Sequence, residues 1–576
     1  MRSGDEIRDT LKYYGFLGSM AGYMVKTQLR KGTLLETIRL TVKNRALTVA
    51  KAFLLGDIQE EKARKNGDRT YLRYKDMKFS YREMDENSNR VANGLISVGV
   101  RPPQGVAIMM RNCPRFLDAF YATQKTGMYA VPVNVSLKGD QLVHTLENSE
   151  ASAMVIDHKS WEAFQAVRDR LPRIEQVVLD MSEAPDDFEP GGDFMDMDSF
   201  YGPEVPTTRP AERPVRGEVA VLMYTSGTTG LPKGTVWKYG DTRIEMIGML
   251  AHYAFTEDDN LFTCAPLFHA NALFISGLTA MYADAQFSIS QKFSARGLLD
   301  ELIEYEATSF NAMGSLMEIV MMQPPSEKDR QHRVRLVMAA ALTPETWKKF
   351  EDRYGIKLWN AYGAVDSGNG IIINAGTAPP GSLGRPMGVK CRVVKEDGGI
   401  AAPGEQGELQ MYLGKSRPVE YFRNDEATEE KVVDGWVRTG DIVMKDRCGN
   451  YYFMGRDIER MRRRGENITC FDVEKEIMAF EAVEEVAVYG VPSELGEDEV
   501  MAAVVPREGM SVEPVELVEF LGDRLAAFQM PRFVRLMDEL PKTEIWKVKK
   551  KELQQEGVTG DTWDMTKDGV RHDSSQ

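Results

Sequence analysis

The chain has 576 residues and a formal net charge of −15, with 43% hydrophobic and 28% charged residues. Because one hydrophobic core does not extend over so long a chain, we expect two or more domains, and the acidic balance disfavours broad nucleic-acid binding. The five cysteines are scattered without a CxxC pair, so they indicate neither a disulfide framework nor a zinc site, and they favour a reducing cytoplasm.

The first 60 residues are predicted to form a helical N-terminal extension. Thr33 and Glu36 have the spacing of a capping box, and apolar residues recur at helical spacing from Leu35 to Phe53. One interpretation is a basic amphipathic helix that contacts anionic lipid. We favour the other, a helix packed on the main body, because its apolar stripe is no richer than an ordinary core face. The longest apolar runs of the sequence fall short of the ~20 residues that span a bilayer.

Residues 61–458 are predicted to form a large domain of alternating strands and helices. The segment RTYLRYKDMKFSY predicts a hairpin, and GVAIMMRN, YAVPVNVS, ASAMVIDH and EVAVLMYT predict buried strands. Helical patterns such as YREMDENSNRVANGLISVG separate them. This alternation predicts an α/β fold with several largely parallel sheets.

A smaller α+β domain is predicted over residues 459–556. Its pattern is a helix (DVEKEIMAFE), two strands (EEVAVYGVP and EVMAAVVP), a second helix (EPVELVEFLGDRLAAF) and a third strand (RFVRLM). Residues 557–576 form a polar tail that we expect to be loosely ordered.

The stretch YTSGTTGLPKG, from Tyr224 to Gly234, follows the strand EVAVLMYT and gives the strongest functional signal. A Gly-rich backbone lets N–H groups approach a ligand closely, the hydroxyls add donors, and Lys233 adds a positive charge. This is the chemistry of a loop that wraps phosphates, although the spacing is not that of a P-loop. On these residues alone, a flexible surface turn is an equal alternative.

The stretch resembles the signature loop of the AMP-forming adenylate enzymes. Further blocks follow in the order of that superfamily: APLFHANAL, NAYGAVDSG, GSLGRP, GELQ, DGWVRTGDIV, GRDIERMRRRGENI and LPKTEIWKVKKKEL. Three segments are similar to the fatty-acid transport protein and very-long-chain acyl-CoA synthetase group: PLFHANAL, QKFSARGLLDELIEYEATSFNAMG and MMQPPSEKDRQHRVRLVMAAALTPETWKKFEDRYG. The segments GKSRPVEYFRNDEAT and RGENITCFDVEKEI are similar to the crotonobetaine/carnitine–CoA ligase group.

The resemblance implies an acyl-CoA synthetase-like fold, with a large multi-sheet α/β domain and a small mobile C-terminal domain. It also implies an ATP-dependent acid–thiol ligase that makes an acyl-adenylate and transfers the acyl group to CoA. The residues implied to hold the β- and γ-phosphates are Thr225, Ser226, Gly227, Thr228, Thr229, Gly230 and Lys233. Thr228 is also implied to be catalytic.

The resemblance places adenosine on two other blocks. Asp441 would accept hydrogen bonds from the ribose, since two carboxylate oxygens suit a vicinal diol, and Arg456 would assist there. The alternative for Asp441 is a turn residue after Gly440, and the alternative for Arg456 is a surface charge. The residues implied to surround adenine are Ala341, Asn360, Ala361, Tyr362 and Gly363, with the Tyr362 ring against the base.

Two further residues are implied to act in catalysis. His269 would sit near the acyl carboxylate, and Lys547 would contact the α-phosphate and the carboxylate during adenylation. The alternative for His269 is a core histidine, and the alternative for Lys547 is a lysine in a basic tail.

The resemblance also implies a hinge and a tunnel. Glu459 falls at the hinge about which the small domain would rotate between the half-reactions, and Gly465 would lie beside the pantetheine tunnel. The basic run Arg460–Arg464 could bind CoA phosphates, but we favour simple solvent exposure.

The metal position departs from the family pattern. The family usually has Tyr-Gly-x-Thr-Glu, in which the glutamate holds Mg²⁺, whereas Val365 and Asp366 occupy the last two positions here. Aspartate keeps the charge with a shorter reach, so we expect Asp366 to bind Mg²⁺ directly or through water.

The acyl pocket is expected to be apolar and roomy, for a medium- to long-chain or other apolar acid. No buried Asp or Arg is expected to face a charged substrate group. Small and pliable residues carry this expectation, although the methionines could equally be helix core: Ala272, Ala312, Gly314, Ala339 and Ala340, with Met313, Met317 and Met321.

Two other functions stay open at this point. One is a ligase that loads a separate carrier protein, and the other is a lipid-binding or trafficking protein that lost catalysis through Val365 and Asp366. The expected partners are a small carboxylic acid, ATP and CoA, with Mg²⁺ as cofactor and without nucleic acid. We expect a cytoplasmic protein and leave open a peripheral membrane contact through its N-terminal extension. A homodimer is also left open.

Overall fold

The computed structural model describes residues 54–225, 231–321, 323–340, 342, 344–368, 370–387, 389–395, 397–414, 419–456, 460–463, 466–493, 496–541, 548 and 550–567. Within these ranges no helix is both long enough and apolar enough to cross a membrane.

The strands are numbered through the described part of the chain. They are β1 (Thr70–Tyr74), β2 (Met77–Ser80), β3 (Gly105–Met109), β4 (Tyr129–Pro132), β5 (Ala151–Asp157), β6 (Gln176–Asp180), β7 (Met195–Asp196), β8 (Val219–Thr225), β9 (Lys233–Lys238), β10 (Asn260–Thr263), β11 (Gln286–Ile289), β12 (Ser309–Met313), β13 (Leu336–Ala340), β14 (Lys357–Tyr362), β15 (Ile371–Asn374), β16 (Arg385–Met387), β17 (Lys390–Val394), β18 (Gln406–Tyr412), β19 (Val432–Val433), β20 (Trp436–Lys445), β21 (Tyr451–Arg456), β22 (Arg460–Arg463), β23 (Glu466–Thr469), β24 (Val483–Pro492), β25 (Asp498–Pro506), β26 (Phe533–Leu536) and β27 (Trp563–Asp564).

The helices are numbered in the same way. They are α1 (Leu55–Asn66), α2 (Tyr81–Ser97), α3 (Pro114–Thr126), α4 (Gly139–Ser149), α5 (Trp161–Gln165), α6 (Thr242–Ala254), α7 (Thr279–Tyr282), α8 (Leu298–Glu304), α9 (Gly314–Met321), α10 (Pro344–Tyr354), α11 (Asp425–Lys431), α12 (Cys470–Met478), α13 (Pro514–Gly522) and α14 (Lys550–Glu556), with a π-helix (Asn271–Leu278) before α7 and 3₁₀ turns at Arg168–Arg170, Met197–Tyr201 and Glu327–Arg330.

Two large sheets and three helical layers form the body of the protein. One sheet has the strand order β16-β15-β14-β13-β12-β10-β11-β1-β2 and the other β7-β6-β5-β3-β4-β8-β9. Their inner strands pair in parallel. The antiparallel pairs lie toward the edges and are β1–β2, β8–β9, β14–β15 and β15–β16. Helices α2, α3, α6 and α7 share one buried cluster with both sheets and so lie between them. Helices α4 and α5 cover the outer face of one sheet, and α8–α10 cover that of the other. This architecture confirms the predicted α/β fold.

Local sequence explains why these elements form. Strand β3 is apolar throughout because both of its faces are covered: Val106 and Ile108 join the central cluster, and Ala107 joins the outer one. Helix α2 begins at a capping box, in which the Glu83 N–H donates to Ser80 Oγ (3.1 Å) and the Ser80 N–H donates to Glu83 Oε2 (2.7 Å).

The C-terminal part has a smaller core on both faces of one sheet. Strands β24–β27 form this sheet, α12 and α13 pack on one face, and α14 packs on the other. Hairpin β22–β23 precedes it, and the antiparallel sheet of β17–β21 lies before that in the chain. The order helix, strand, strand, helix, strand confirms the prediction for this segment. The exact domain boundaries stay predictions.

The prediction of a loosely ordered tail is wrong for the part that the structure describes. Strand β27 pairs antiparallel with β26, and Trp563 packs against the core of the small domain. Asp564 Oδ1 accepts a charged hydrogen bond from Arg532 Nε at 3.3 Å. An aromatic side chain within the polar tail is what allows this segment to dock. The helix predicted from Thr33 to Phe53 lies outside the described residues.

Candidate active site

A hairpin holds the two ends of the signature loop. Strand β9 runs antiparallel to β8, and Thr225 and Lys233 are Cα partners at its base. Tyr224 packs beside them, and its hydroxyl donates to Asn148 Oδ1 at 2.7 Å. Burial raises the pKa of the Tyr224 phenol, so this group stays a neutral donor. Five predicted phosphate-loop residues lie outside the described residues: Ser226, Gly227, Thr228, Thr229 and Gly230.

A second segment braces the start of β9 beside the loop. The Phe422 N–H donates to the Gly234 carbonyl at 2.7 Å, and the Val236 N–H donates to the Glu420 carbonyl at 2.9 Å. This pairing sets the Tyr421 ring beneath the Lys233 ammonium, which lies 5.5 Å from the ring centroid. A distant part of the chain therefore fixes the cation of the signature loop.

Tyr421 also connects this loop to the predicted metal residue. Its hydroxyl donates to Asp366 Oδ2 at 2.7 Å, and Lys431 Nζ lies 2.8 Å from the same oxygen. The Asp366 and Lys431 side chains are only 8% and 10% exposed, so this is a buried ion pair. Sequence reasoning missed Lys431, which ends α11 and carries no motif signal of its own.

The chemistry of Asp366 fits a magnesium ion that arrives with phosphates, but only if Lys431 releases its oxygen. Carboxylate oxygen is the ligand type that Mg²⁺ prefers, and one carboxylate suffices where phosphates and water complete the shell. Across the described ranges no group of three His, Cys, Asp or Glu side chains could hold a metal ion. The role of Asp366 as a metal ligand stays a prediction.

The two residues predicted for adenine and ribose are in direct contact. The Tyr362 hydroxyl donates to Asp441 Oδ2 at 2.5 Å, and Asp441 is only 2% exposed. Asp441 is also the Cα partner of Arg456 across β20 and β21, so the two residues predicted at the ribose lie opposite each other. A short O–H···O⁻ bond holds the phenol in a fixed position relative to the carboxylate.

The neighbours of Tyr362 are placed as follows. Asn360 is fully buried, and its Nδ2 donates to the Ser382 carbonyl at 3.0 Å, which ties β14 to the loop before β16. Ala361 is partly buried, and Gly363 is exposed just past the end of β14. Ala341, predicted beside adenine, lies outside the described residues.

His269 is joined to the small domain. Its Nε2 lies 2.7 Å from Glu466 Oε1, and the two side chains are 37% and 18% exposed. His269 precedes the π-helix, a rare conformation that is often found at functional sites. Glu466 opens β23, directly after Gly465 in the sequence. Residues 464–465, like the predicted hinge residue Glu459 and the predicted catalytic Lys547, lie outside the described residues.

Comparison with known proteins shows the family of this chain. Residues 59–412 match the AMP-binding enzyme family, and residues 472–547 match the AMP-binding enzyme C-terminal domain. The chain belongs to the AMP-binding enzyme family. More than half of its length lies within the first match, which contains the signature loop, His269, Tyr362 and Asp366.

Individual relatives of this AMP-binding enzyme are CoA ligases. It is 29% identical to the crotonobetaine/carnitine–CoA ligase of Salmonella agona (strain SL483) over 510 residues, which is 85% of this chain and 96% of that one. Solved structures with the same fold include o-succinylbenzoate CoA synthetase (MenE) from Bacillus subtilis (TM-score 0.75, 22% identity, 88% of this chain and 99% of that one). Another is the anthranilate CoA ligase AuaEII (TM-score 0.66, 22% identity, 89% and 98%). The matches confirm the predicted resemblance and the predicted enzyme class, an AMP-forming acid–thiol ligase.

An aromatic stack lies between the signature hairpin and the helix after His269. The Trp237 ring stacks on the Phe274 ring, with centroids 4.7 Å apart and planes 18° apart. Trp237 Nε1 donates to the Val365 carbonyl at 3.3 Å, so the stack reaches the residue before Asp366. Sequence reasoning missed this pair, although Trp237 lies only three residues after Gly234, where the signature loop ends.

A buried arginine lies on the other side of the aromatic stack. The Arg243 side chain is 9% exposed, and its guanidinium lies 4.4 Å from the Trp237 ring centroid. It donates to the carbonyls of Val236 (2.8 Å) and Val365 (3.2 Å), and it is paired with Asp241. Because Asp241 balances its charge and backbone carbonyls accept its N–H groups, Arg243 does not contradict the expectation that no buried Asp or Arg faces a charged substrate group.

Strand alternation corrects the predicted pocket lining. Ala312, Ala339 and Met317 pack into the outer cluster with α8–α10, on the face of the sheet away from the π-helix. Met338 belongs instead to the central cluster, which contains Phe274. Because neighbouring strand residues face opposite sides, Ala312 and Ala339 were assigned to the wrong face, whereas Met317 confirms the alternative of a helix-core methionine.

The basic run was also interpreted wrongly at one position. Arg463 is 5% exposed, its Nε lies 2.7 Å from Glu499 Oε2, and its Nη1 donates to the Met530 carbonyl at 2.7 Å. It therefore anchors hairpin β22–β23 to the core of the small domain and is not a solvated charge.

Proposed function

We propose that this AMP-binding enzyme activates an apolar carboxylic acid with ATP and transfers it to CoA. The observation that carries the proposal is the convergence of separate sequence blocks on one site. Tyr421 lies against both Lys233 and Asp366, and Tyr362 is bonded to Asp441. The names of the related CoA ligases support the same chemistry.

In the first half-reaction, a carboxylate oxygen of the acid attacks the α-phosphorus of ATP. The bond to the β-phosphate breaks, and pyrophosphate leaves with the bonding electrons. Neither this step nor the next requires a covalent bond to the protein, so the protein acts by positioning the reactants and neutralising their charge. Lys233 would hold the terminal phosphates, Asp441 would accept from the ribose hydroxyls, and Tyr362 would lie against adenine. A bound magnesium ion would add positive charge at the phosphates, with Asp366 as its carboxylate.

In the second half-reaction, the CoA thiolate attacks the acyl carbonyl carbon and AMP leaves. We propose that the domain arrangement of the structure serves this step. Glu466 follows Gly465, the residue predicted beside the pantetheine tunnel, and its carboxylate contacts His269, which is predicted beside the acyl group. Lys475 of the small domain adds a contact to Asp140 Oδ2 of the large domain at 3.0 Å.

The aromatic stack supports an apolar substrate of limited size. With a guanidinium on it at 4.4 Å and a phenyl ring stacked at 4.7 Å, the Trp237 indole has little free face for a substrate cation. The proposed substrate therefore differs from crotonobetaine and carnitine, the compounds in the name of the Salmonella relative, which carry a quaternary ammonium group. Phe274 follows Ala272, one of the residues predicted to line the acyl pocket, and the Trp237 ring stacked on it fills space there. We therefore favour compact acids over the long-chain end of the predicted range.

The reaction is tested by measuring its two products separately. Purified full-length enzyme receives ATP, Mg²⁺ and a panel of carboxylic acids, with and without CoA. Pyrophosphate release and acyl-CoA are followed by a coupled assay and mass spectrometry. We expect acid-dependent pyrophosphate release in the wild type and in Arg333→Ala, a change at an exposed residue, and none in Asp441→Ala. Acid-dependent pyrophosphate release without acyl-CoA would contradict CoA as acceptor and favour a carrier protein.

The acid class is tested on the same panel. We expect alkyl and aryl acids to react at least about tenfold faster, by kcat/KM, than trimethylammonium acids of similar size. The opposite order would contradict the apolar assignment. A cytoplasmic location, contact with a membrane through the N-terminal extension and a homodimer stay predictions.

A further inference from the structure

The ion pair between Asp366 and Lys431 lies in the position where the metal is expected. One oxygen, Oδ2, accepts both the Lys431 ammonium at 2.8 Å and the Tyr421 hydroxyl at 2.7 Å. Both charged side chains are about nine-tenths buried, where water screens them little. A buried carboxylate held in this way strongly requires a positive partner.

The same cluster is continuous with the signature hairpin. The Tyr421 ring carries Lys233 on its face, and the Val365 carbonyl next to Asp366 accepts from Trp237 and from Arg243. Lys431 therefore adds a positive charge to a site already rich in cations. If the proposed function holds, ATP brings both its phosphates and a divalent metal ion to this cluster.

We propose that Lys431 is an internal counter-ion that a divalent metal ion must displace from Asp366, so that this ion pair sets the metal affinity of the site. A metal within bonding distance of Oδ2 and an ammonium 2.8 Å from the same atom would repel each other in a poorly screened environment. Lys431 is the last residue of α11 and has a flexible four-carbon stem, so it can withdraw without moving the strands. The incoming phosphates are the natural anionic partner for the displaced ammonium.

The proposal predicts an unusual effect of removing a positive charge. Lys431→Met deletes the competitor and leaves Asp366 without its counter-ion, so the metal should bind more tightly. Lys431→Gln makes the same change with a polar side chain and serves if the Met variant folds poorly. Lys431→Arg keeps the charge and is the matched control.

The measurement uses Mn²⁺ as the probe and a non-hydrolysable ATP analogue, with full-length protein. Electron paramagnetic resonance reports the free Mn²⁺ concentration and so gives the affinity without turnover. We expect the neutral variants to bind Mn²⁺ at least about tenfold more tightly than the wild type, and the Arg variant to remain within about threefold of it. Adding Asp366→Asn to Lys431→Met should abolish the gain.

Two results would overturn the proposal. One is an unchanged Mn²⁺ affinity in both neutral variants, and the other is a gain that persists when Asp366→Asn is added. If the Mn²⁺ affinity is unchanged and the metal-free nucleotide binds more weakly, Lys431 is a phosphate ligand only. Acyl-CoA formation by the wild type is measured separately, so a failure of the proposed function is distinguished from a failure of this inference.

Discussion

The contact between Tyr362 and Asp441 gives a prediction that separates two roles of one carboxylate. In the structure Asp441 Oδ2 accepts the Tyr362 hydroxyl at 2.5 Å, and the residue is almost fully buried. A hydrogen bond to a charged acceptor contributes about 1.5–3 kcal/mol. Tyr362→Phe should therefore reduce the free energy of unfolding by about 1.5–3 kcal/mol. It keeps the aromatic ring and the carboxylate, so the affinity for ATP should change by less than about threefold.

Asp441→Asn should have the opposite profile. The amide has a similar shape but only one acceptor oxygen, so it loses the charge-assisted contact with a vicinal diol. We expect ATP to bind about 10–150-fold more weakly, which corresponds to about 1.5–3 kcal/mol. The free energy of unfolding should change less, because removing the carboxylate also removes the cost of burying its charge.

A ligand that lacks the diol makes the assay specific. Isothermal titration calorimetry compares ATP with 2′,3′-dideoxy-ATP on the wild type, Asp441→Asn, Tyr362→Phe and the surface control Arg333→Ala. The wild type, Tyr362→Phe and the control should prefer ATP by about 10–150-fold, and Asp441→Asn should not discriminate. An Asn variant that still prefers ATP as strongly as the wild type would refute the ribose assignment.

Three further predictions address the domain contact, the pH dependence of stability and the acyl pocket. Glu466→Gln removes the charge opposite His269, and the partial exposure of the pair limits its contribution to about 1 kcal/mol. In single-turnover assays, conversion of supplied acyl-AMP to acyl-CoA should therefore slow by about fivefold, while adenylate formation is unchanged. Asp118→Asn should remove a fall in stability of about 2–4 kcal/mol between pH ~4 and ~7, measured by thermal unfolding at both ends of this window. Phe274→Leu should shift the kcat/KM optimum of an alkyl-acid series toward longer chains.

The sign of the Asp118 effect follows from its burial. Burial raises the pKa of this carboxyl to about 7, although the Tyr201 hydroxyl and Arg115 oppose the shift. Between about pH 4 and 7 the folded state keeps a proton that the unfolded state releases, so the free energy of unfolding falls as pH rises. A parallel pH dependence in Asp118→Asn would contradict this assignment. Equal loss of both half-reactions in Glu466→Gln would contradict the domain-contact interpretation, and an unchanged chain-length optimum in Phe274→Leu would place the stack outside the acyl pocket.

The sequence alone determined what depends on near neighbours. The capping box of Ser80 and Glu83 involves residues three positions apart, and the hairpin of β1 and β2 closes over a short turn. Strands such as β3 could be predicted because covering both faces requires an unbroken apolar run. The signature loop and the later blocks could also be recognised from the sequence, because each is a contiguous stretch of residues. Trp563 was overlooked because its partner strand lies some way back in the chain.

Only the tertiary structure decided which charges and faces meet. Tyr362 and Asp441 are 79 residues apart, and His269 and Glu466 are 197 apart, so no local pattern indicates either contact. The ion-pair partner of Asp366 is a lysine at the end of a short helix, and a lysine in a polar segment of the sequence cannot be told from an ordinary solvated charge. The acyl-side face of β12 and β13 was assigned wrongly because both faces of a covered sheet are apolar. When hydropathy is the same on both sides, only the packing of neighbouring layers determines which residues face the site.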